Sequence, residues 1–421
     1  MLIRFIYSIL LILVSPFFLY SLYKKKKGKP NVGKRWKEHF GLTPKLSNIH
    51  PLWIHAVSVG EVIAVSSLIK EIKKHSPEQA ILLTTTTSTG AEQAAKLNDL
   101  VEHRYMPLDF SFAINFFLKK THPSQLLIME TELWPNTLHC VAKAGLNITV
   151  INARLSQRSA DRYSKVSAIF DLLANNINKI LCQHQDDAQR FIELGIAKNK
   201  IEVTGSVKFD ITISQQVKKQ SQQLRSTLGS TRPIWIAAST HQGEDEQILA
   251  AHREVLKVIP NTLLILVPRH PERFNTVYSL TEDAGFNVIK RSQKTEMNKT
   301  IEVYLADTMG EMLVLLGAAD ICFMGGSLVG NKVGGHNLLE PAAIGLPTII
   351  GPSFFNFTDI TKQLCKASAT TIINNSTELG NQVIYLLTNK EQQEQQGKAA
   401  LKVVEENQGA ITKTLHYLQR P

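Results

Sequence analysis

The chain of 421 residues has only four cysteines, Cys140, Cys182, Cys322 and Cys365. None of them forms a CxxC pair and their spacing matches no zinc pattern, which excludes a zinc module. Scattered thiols of this kind fit a reducing compartment. The sequence has no internal repeat at a solenoid period and no long low-complexity tract, so repeat arrays are excluded. HExxH and EF-hand loops are missing, and no Ser-His-Asp or Cys-His set stands out, so no metal ligand set is expected. Gly325 and Gly330 are followed by Asn331-Lys332, not by the Gly-Lys-Ser/Thr of a P-loop, and the GxGxxG dinucleotide fingerprint is absent. Hydrophobic residues make up 43% and charged residues 20%, which rules out a disordered or fibrous chain.

One sign of charge dominates. There are 47 Lys+Arg against 36 Asp+Glu, a formal charge of +11. Residues 1–40 hold nine basic residues against the single acid Glu38, so +8 of the +11 is local and the rest of the chain carries +3. The body thus lacks the basic, aromatic-interleaved face that nucleic acid needs. Before the lysines lies Phe5–Leu22, eighteen uncharged residues interrupted only by serines and Pro16. A stretch of about 17–25 apolar residues can span a bilayer as a helix. With Lys24–Lys37 following at once, the positive-inside rule places the rest of the chain in the cytoplasm. A cleaved signal peptide would carry its basic region first and a small-x-small site after, and this segment does neither. Pro16 leaves room for a shallow insertion. The expectation is a single N-terminal membrane-anchor helix with a basic collar over residues 1–40, lying against anionic headgroups.

Past the collar, short β-branched runs alternate with helical stretches such as Val62–His75. Expected strands are Leu52–Val57, Ala80–Thr86, Gln125–Met129, Ile148–Asn152, Lys179–Gln183 and Ile201–Thr204. The segment Ser214–Arg232, rich in Gln, Ser and Lys, reads as a linker. The pattern restarts with Ile234–Ala238, Leu263–Pro268, Phe286–Lys290, Ile301–Leu305, Ile321–Met324 and Pro347–Gly351. Near-continuous apolar strands of this kind are those of parallel sheets buried on both faces. The expected fold is α/β, with two Rossmann-like doubly wound domains over residues 41–213 and 233–421 joined by 214–232.

Ligands in such sheets bind at the carboxyl ends of the strands, and five polar motifs fall there. In HAVSVGEV, Ser58 and Gly60 make a turn and Glu61 opens a helix; Glu61 is either a helix-capping carboxylate or a general base. Gly60 would permit a tight turn or the close approach of a ligand. In METELWPN, Glu130, Glu132 and Trp134 suit sugar binding, or cap a helix with Trp134 as a core plug. In NARLSQRS, Arg154 and Arg158 are suited to phosphates or carboxylates, or are surface arginines. In VPRHPERF, Arg269 is held between Pro268 and Pro271. The densest region joins ADTMGEM to Gly325-Gly326-Ser327 and to Gly334-Gly335-His336-Asn337, a glycine-rich turn opening a helix where an anion could bind, or loop architecture in which the glycines serve only the turns. Glu340 beyond it could accept hydrogen bonds from a ribose diol.

Taken in order, HAVSVGEV, METELWPN, NARLSQRS, GSVKFD, PRHPERF, TMGEM and HNLLEP resemble the bacterial 3-deoxy-D-manno-octulosonic acid (Kdo) transferases of lipopolysaccharide synthesis, over nearly the whole chain. The resemblance implies a GT-B glycosyltransferase with two domains facing across a cleft. It implies inverting transfer of Kdo from CMP-Kdo to a lipid A precursor (lipid IVA) on the cytoplasmic face of the inner membrane. CMP-Kdo is then a donor substrate, with no cofactor or metal. By the same resemblance Glu61 matches the catalytic base. Pro268 and Arg269, Met309, Gly310 and Glu311, and His336, Asn337, Leu338, Leu339 and Glu340 match the CMP-binding positions. Glu132 matches a second acid in the N-terminal domain, beside Ser58, Gly60 and Arg154. The alternatives are a membrane-associated GT-B transferase using a UDP-sugar, and a non-catalytic nucleotide-binding membrane protein.

Overall fold

The structure, a computed structural model, describes residues 2–24, 30–48, 50–293 and 297–418. The chain divides into two compact units. The first runs to Asp210 and takes back the segment from Gln408 onward; the second is Ile211–Asn407.

The first unit is built on seven parallel strands: β1 (Leu52–His55), β2 (Ile81–Thr85), β3 (Glu102–Tyr105), β4 (Gln125–Met129), β5 (Asn147–Ala153), β6 (Lys179–Cys182) and β7 (Ile201–Val203). Their order is β3-β2-β1-β4-β5-β6-β7. Successive strand residues point to opposite faces, so Trp53 enters one core with Phe117 and Phe170, while Ile54 enters the other with Leu68 and Leu127. The second unit has β8 (Ile234–Thr240), β9 (Leu263–Pro268), β10 (Val288–Lys290), β11 (Val303–Leu305), β12 (Ile321–Met324), β13 (Thr348–Ile350) and β14 (Thr370–Ile372). They are ordered β10-β11-β9-β8-β12-β13-β14, again all parallel. The strand order reverses between β1 and β4 in the first sheet and between β8 and β12 in the second. Crevices at such reversals are where doubly wound sheets bind ligands.

All twelve expected strands are present: Gln125–Met129, Leu263–Pro268 and Ile321–Met324 at the expected bounds, β5 and β8 longer, and the others trimmed by a residue or more. The two not expected, β3 and β14, are sheet edges. Their side chains are largely part-exposed, so EHRY and TTI lack the apolar run that marks a central strand.

Two expected boundaries differ. Residues 214–232 are not a linker: Ser214 accepts from Val217 N and opens the helix Gln215–Leu228, which buries Leu224 and Leu228 in the second unit. Its apolar stripe is thin because it covers one edge of the core, which is why it reads as polar. Likewise the second unit stops at Asn407. Asp210 accepts from Gly409 N and Ile411 N, both at 2.6 Å, and the helix Ala410–Leu418 sets Ile411 and Leu415 into the core of the first unit.

The N-terminal segment is the helix Leu2–Tyr23, with Pro16 inside it. Among the described residues no helix is long and apolar enough to cross a membrane. One side of this helix is tied to the first unit: Tyr7 Oη donates to Asp109 Oδ2 at 2.9 Å, and Ser8 Oγ accepts from Asn136 Nδ2 at 3.1 Å. The other side leaves Phe5, Leu10, Leu13 and Phe17 exposed, Phe17 by 84%. Lys25, Lys26, Lys27 and Lys29 of the expected collar lie outside the described residues.

Candidate active site

In the first unit, β1 ends at His55 and Ser58 caps the helix Val59–His75. Glu61 turns back on this cap. Its Oε2 accepts from Val57 N at 2.9 Å and its Oε1 from Ser58 Oγ at 2.8 Å. The capping reading is therefore realised, but it uses two of a carboxylate's roughly four acceptor sites. Burial lifts the Glu61 carboxyl above the usual carboxylate range, against the hydrogen bonds from Val57 and Ser58; the charges of Glu130 and Glu132 add to the rise. Gly60 lies in the first helical turn, and a Cβ there would meet only Ser58 Oγ, at 3.9 Å. A tight turn is thus not what demands a glycine; open space beside the backbone remains.

Across the reversal, β4 ends at Met129, and Glu130 takes a left-handed backbone, φ 58°. Neither Glu130 nor Glu132 caps the following helix Pro135–Lys143. Asp109 does, accepting from Asn136 N at 3.0 Å and from Thr137 N and Oγ1 at 2.6 Å. Trp134 is 38% exposed, so it is not a core plug. Freed from capping, Glu130 pairs with Lys208 Nζ at 3.2 Å. Burial first, then the charge of Glu130, raises the carboxyl of Glu132, with a hydrogen bond to Trp134 opposing. Glu61, Glu130 and Glu132 line one pocket of about 350 Å³ with Thr131, Arg154, Ser156, Ser159 and Tyr163. Arg158, by contrast, is exposed on the helix Gln157–Ser164, a surface arginine. Lys208 was not singled out from the sequence as a site residue. Its signal was the GSVKFD motif, whose short helical turn Val207–Phe209 carries it to Glu130.

In the second unit, Arg269 follows β9, exposed, with its N–H on Thr240 O at 3.0 Å. Its charge acts on both His336 and Glu340, lowering each, so the three share one neighbourhood; burial is the larger influence on each, depressing His336 to about 4 and raising Glu340. Asn337 Oδ1 accepts from Leu339 N at 3.1 Å and starts the six-residue helix Leu339–Ile344. Leu338 and Leu339 are wholly buried, so their side chains pack the core. Met309 is exposed and Gly310 has φ 81°. Glu311 is held by Arg291, whose Nε and Nη2 each reach it at 2.7 Å, and this fork brings its carboxyl down to about 2. Arg291 carried no motif signal; only the fold brings it to Glu311.

The expected anion sites at the glycines need correction. The N–H groups of Gly326, Ser327 and Leu328 converge on one carboxylate, that of Glu244, at 2.6, 2.9 and 2.8 Å. Glu244 is fully buried and also accepts from His241 N at 3.0 Å. This nest is filled by the protein itself. Gly335 N donates to Gly326 O, and a Cβ on Gly334 would lie 2.5 Å from the Phe355 ring. Those glycines serve close packing. Among the described residues no group of three or more His, Cys, Asp or Glu is placed to hold a metal ion.

Two parallel-sheet Rossmann-like units, each with polar residues gathered where its strand order reverses, make a GT-B-like fold, and the family models give the class: a glycosyltransferase. Residues 233–403 match the family model of group 1 glycosyl transferases. A glycosyltransferase structure from Rickettsia africae has TM-score 0.54 at 15% identity, covering 89% of this chain and 100% of that one. The UDP-GlcNAc 2-epimerase structure from Neisseria meningitidis has TM-score 0.59 at 14% identity, covering 88% and 99%. At such identities the likeness is one of fold. Residues 34–211 match the family model described as 3-deoxy-D-manno-octulosonic-acid transferase. The chain is 40% identical over 420 residues to the 3-deoxy-D-manno-octulosonic acid transferase of Haemophilus influenzae, covering 99% of this chain and 98% of the relative. The chain belongs to the 3-deoxy-D-manno-octulosonic acid transferase family and is a Kdo transferase.

Proposed function

We propose that the enzyme transfers Kdo from CMP-Kdo to a lipid A precursor, lipid IVA, with inversion and with Glu61 as general base. The observation that carries this is the pocket of the first unit, where Glu61 keeps unused acceptor capacity and a raised carboxyl beside Glu130 and Glu132. An acid with its pKa lifted toward working pH is a better proton acceptor than an ordinary surface glutamate. The acceptor sugar hydroxyl attacks the anomeric carbon of Kdo while its proton passes to Glu61. The bond from that carbon to the phosphate breaks on the opposite face, and its electron pair leaves with CMP. Arg269 stabilises the phosphate charge, and Glu340 holds the ribose hydroxyls. Met309, Gly310 and Glu311 contact the nucleotide, with Arg291 fixing Glu311. Glu132, Arg154, Ser58 and Gly60 border the acceptor.

The enzyme works at the inner membrane, on its cytoplasmic face. The outward side of Leu2–Tyr23 lies in the interface plane, its other side fixed to the body by Tyr7 and Ser8. This holds the pocket near a lipid-anchored acceptor. The test is to incubate the purified enzyme with CMP-Kdo and the tetra-acyl precursor and weigh the product. A mass gain of one or more Kdo units supports the proposal; conversion with a UDP-sugar and none with CMP-Kdo refutes it.

A further inference from the structure

Beside Arg269 the second unit assembles a pair of histidines, of which His336 stands among the expected CMP-binding positions and His241 carries no motif signal. His241 Nε2 lies 2.8 Å from His336 Nε2. The ring planes differ by 12° and the centroids are 5.1 Å apart. That separation is what two coplanar imidazoles meeting nitrogen to nitrogen produce, so one proton lies between them and one ring donates to the other. A metal ion has no room between nitrogens this close.

The fold holds both rings rigidly. At the end of β8 the register with β9 shifts between Ala238 and Thr240, and Ser239 takes φ 59°, which turns His241 out of the sheet. The His241 N–H is then pinned by Glu244, the same carboxylate that gathers Gly326, Ser327 and Leu328. On the other side His336 rests over Gly326. A Cβ there would sit 3.0 Å from His336 Cδ2 and 3.1 Å from its Nε2. The pair therefore spans the β8/β12 reversal, where a doubly wound sheet receives its ligand.

The surroundings of the pair are mainly cationic, with Glu272 4.0 Å from His270 on the outer side. His270 meets His241 edge to face at 5.3 Å, and the charges of Arg269 and Arg273 act on it. Asp245 is engaged by Arg273 and Thr240, and Glu244 by four N–H groups. Glu340 feels the charge of Arg269, which lowers its carboxyl against the larger effect of burial. Burial first, and these positive neighbours second, depress His241 and His336 to about 4, which keeps the pair neutral at pH 7. An anion arriving there reverses the field.

We propose that the His241–His336 pair takes up one further proton, on an outer ring nitrogen and beyond the one already between the rings, when a phosphate-bearing nucleotide binds beside Arg269, and that the pair then gives a charge-assisted hydrogen bond to that phosphate. This rests on the donor-site reading given above. The use follows from charge: transfer turns a phosphodiester with one negative charge into a phosphomonoester that carries nearly two at pH 7. The added proton stabilises the growing charge and leaves with the product, and the pair returns to its neutral form.

The experiment is calorimetric titration of the full chain with cytidine 5′-methyl phosphate, a diester whose phosphate does not titrate near neutrality, in buffers of different ionisation heat at about pH 6. Uptake approaching one proton per ligand is expected, with affinity weakening by up to tenfold per pH unit as pH rises. His241→Asn and, independently, His336→Asn should abolish the uptake, while His270→Asn keeps it. Binding by the wild type without uptake overturns the proposal, as does uptake that survives in His241→Asn or is lost in His270→Asn alone. If the wild type does not bind the diester at all, the donor-site reading fails, and the proposal with it.

Discussion

Glu61→Gln separates a catalytic carboxylate from a structural one. The structural part can be worked from its two contacts, Val57 N at 2.9 Å and Ser58 Oγ at 2.8 Å. The glutamine oxygen can keep Val57, and the Ser58 hydroxyl can rotate to accept from the new NH2, so both bonds survive as neutral ones. Exchanging charge-assisted for neutral bonds costs about 1 kcal/mol, which in a unit of this size moves Tm by about 2–4 °C. Loss of a general base costs about 10²–10⁴ in rate, or roughly 3–5 kcal/mol of barrier. The two effects thus differ severalfold and are read by different measurements. We predict that kcat with saturating CMP-Kdo and lipid acceptor falls at least a hundredfold, with Tm changed by no more than about 2–4 °C, since release of the buried charge offsets the weaker bonds, and CMP affinity unchanged. A kcat within about threefold of wild type would refute the base assignment. The pH dependence supplies a second check. Burial, with help from Glu130 and Glu132, raises the Glu61 carboxyl. The wild-type rate should therefore climb with pH through a midpoint above the usual carboxylate range, and the variant should lose that limb. Stability runs the other way. A carboxyl raised on folding contributes stability that is present at low pH and lost as pH rises through its folded pKa. Glu61→Gln should accordingly gain on wild type in Tm as pH increases.

Four further outcomes are expected. Arg291→Ala should weaken CMP binding about tenfold through loss of its fork on Glu311, and NMR should find the Glu311 carboxyl, held at about 2, moved back toward normal; an unmoved Glu311 would contradict this. Glu244→Gln leaves N–H groups facing an amide NH2, so urea unfolding should show the second unit destabilised by about 2–4 kcal/mol; a neutral result would mean the nest tolerates an amide. Gly397→Ala would set a Cβ 2.2 Å from the backbone oxygen of Gly345, and calorimetry should report a lower Tm, for a loss of about 1–3 kcal/mol. Leu13→Glu with Phe17→Glu should reduce sedimentation with anionic vesicles while CMP binding holds; full retention on vesicles would argue against the helix face as the membrane contact.

Much of the fold was legible because buried parallel strands advertise themselves. Leu126 to Met129 or Leu263 to Val267 can be little else when flanked by helical stretches and turns. The edges β3 and β14 were not legible, since half-exposed strands keep polar residues. The helix Gln215–Leu228 read as a linker because one thin stripe, Leu224 and Leu228, is all it buries. Nothing local to Ala410–Leu418 says which unit it joins; Asp210 and the core around Leu68 decide that.

The site divides along the same line. Residue types just after strands marked Glu61, Glu132 and Arg269, because chain order alone puts the end of a parallel strand at the ligand-binding edge, and Glu340 was marked by the glycine-rich loop that leads from β12 to its helix. Whether a carboxylate there is available or already engaged depends on partners far away in sequence. Asp109 caps the helix that Glu130 and Glu132 might have capped, and Glu244 fills the nest that looked ready for a phosphate. Arg291 on Glu311, Lys208 on Glu130 and His241 against His336 are likewise pairs separated by 20 to 95 residues. The sequence by itself determined the family, the two parallel sheets and most of the chemistry-bearing side chains, since these follow from local pattern and order. Only the tertiary structure decided which of those side chains are engaged within the protein and which keep unused hydrogen-bonding capacity, since hydrogen bonds are satisfied by whatever folding brings within reach.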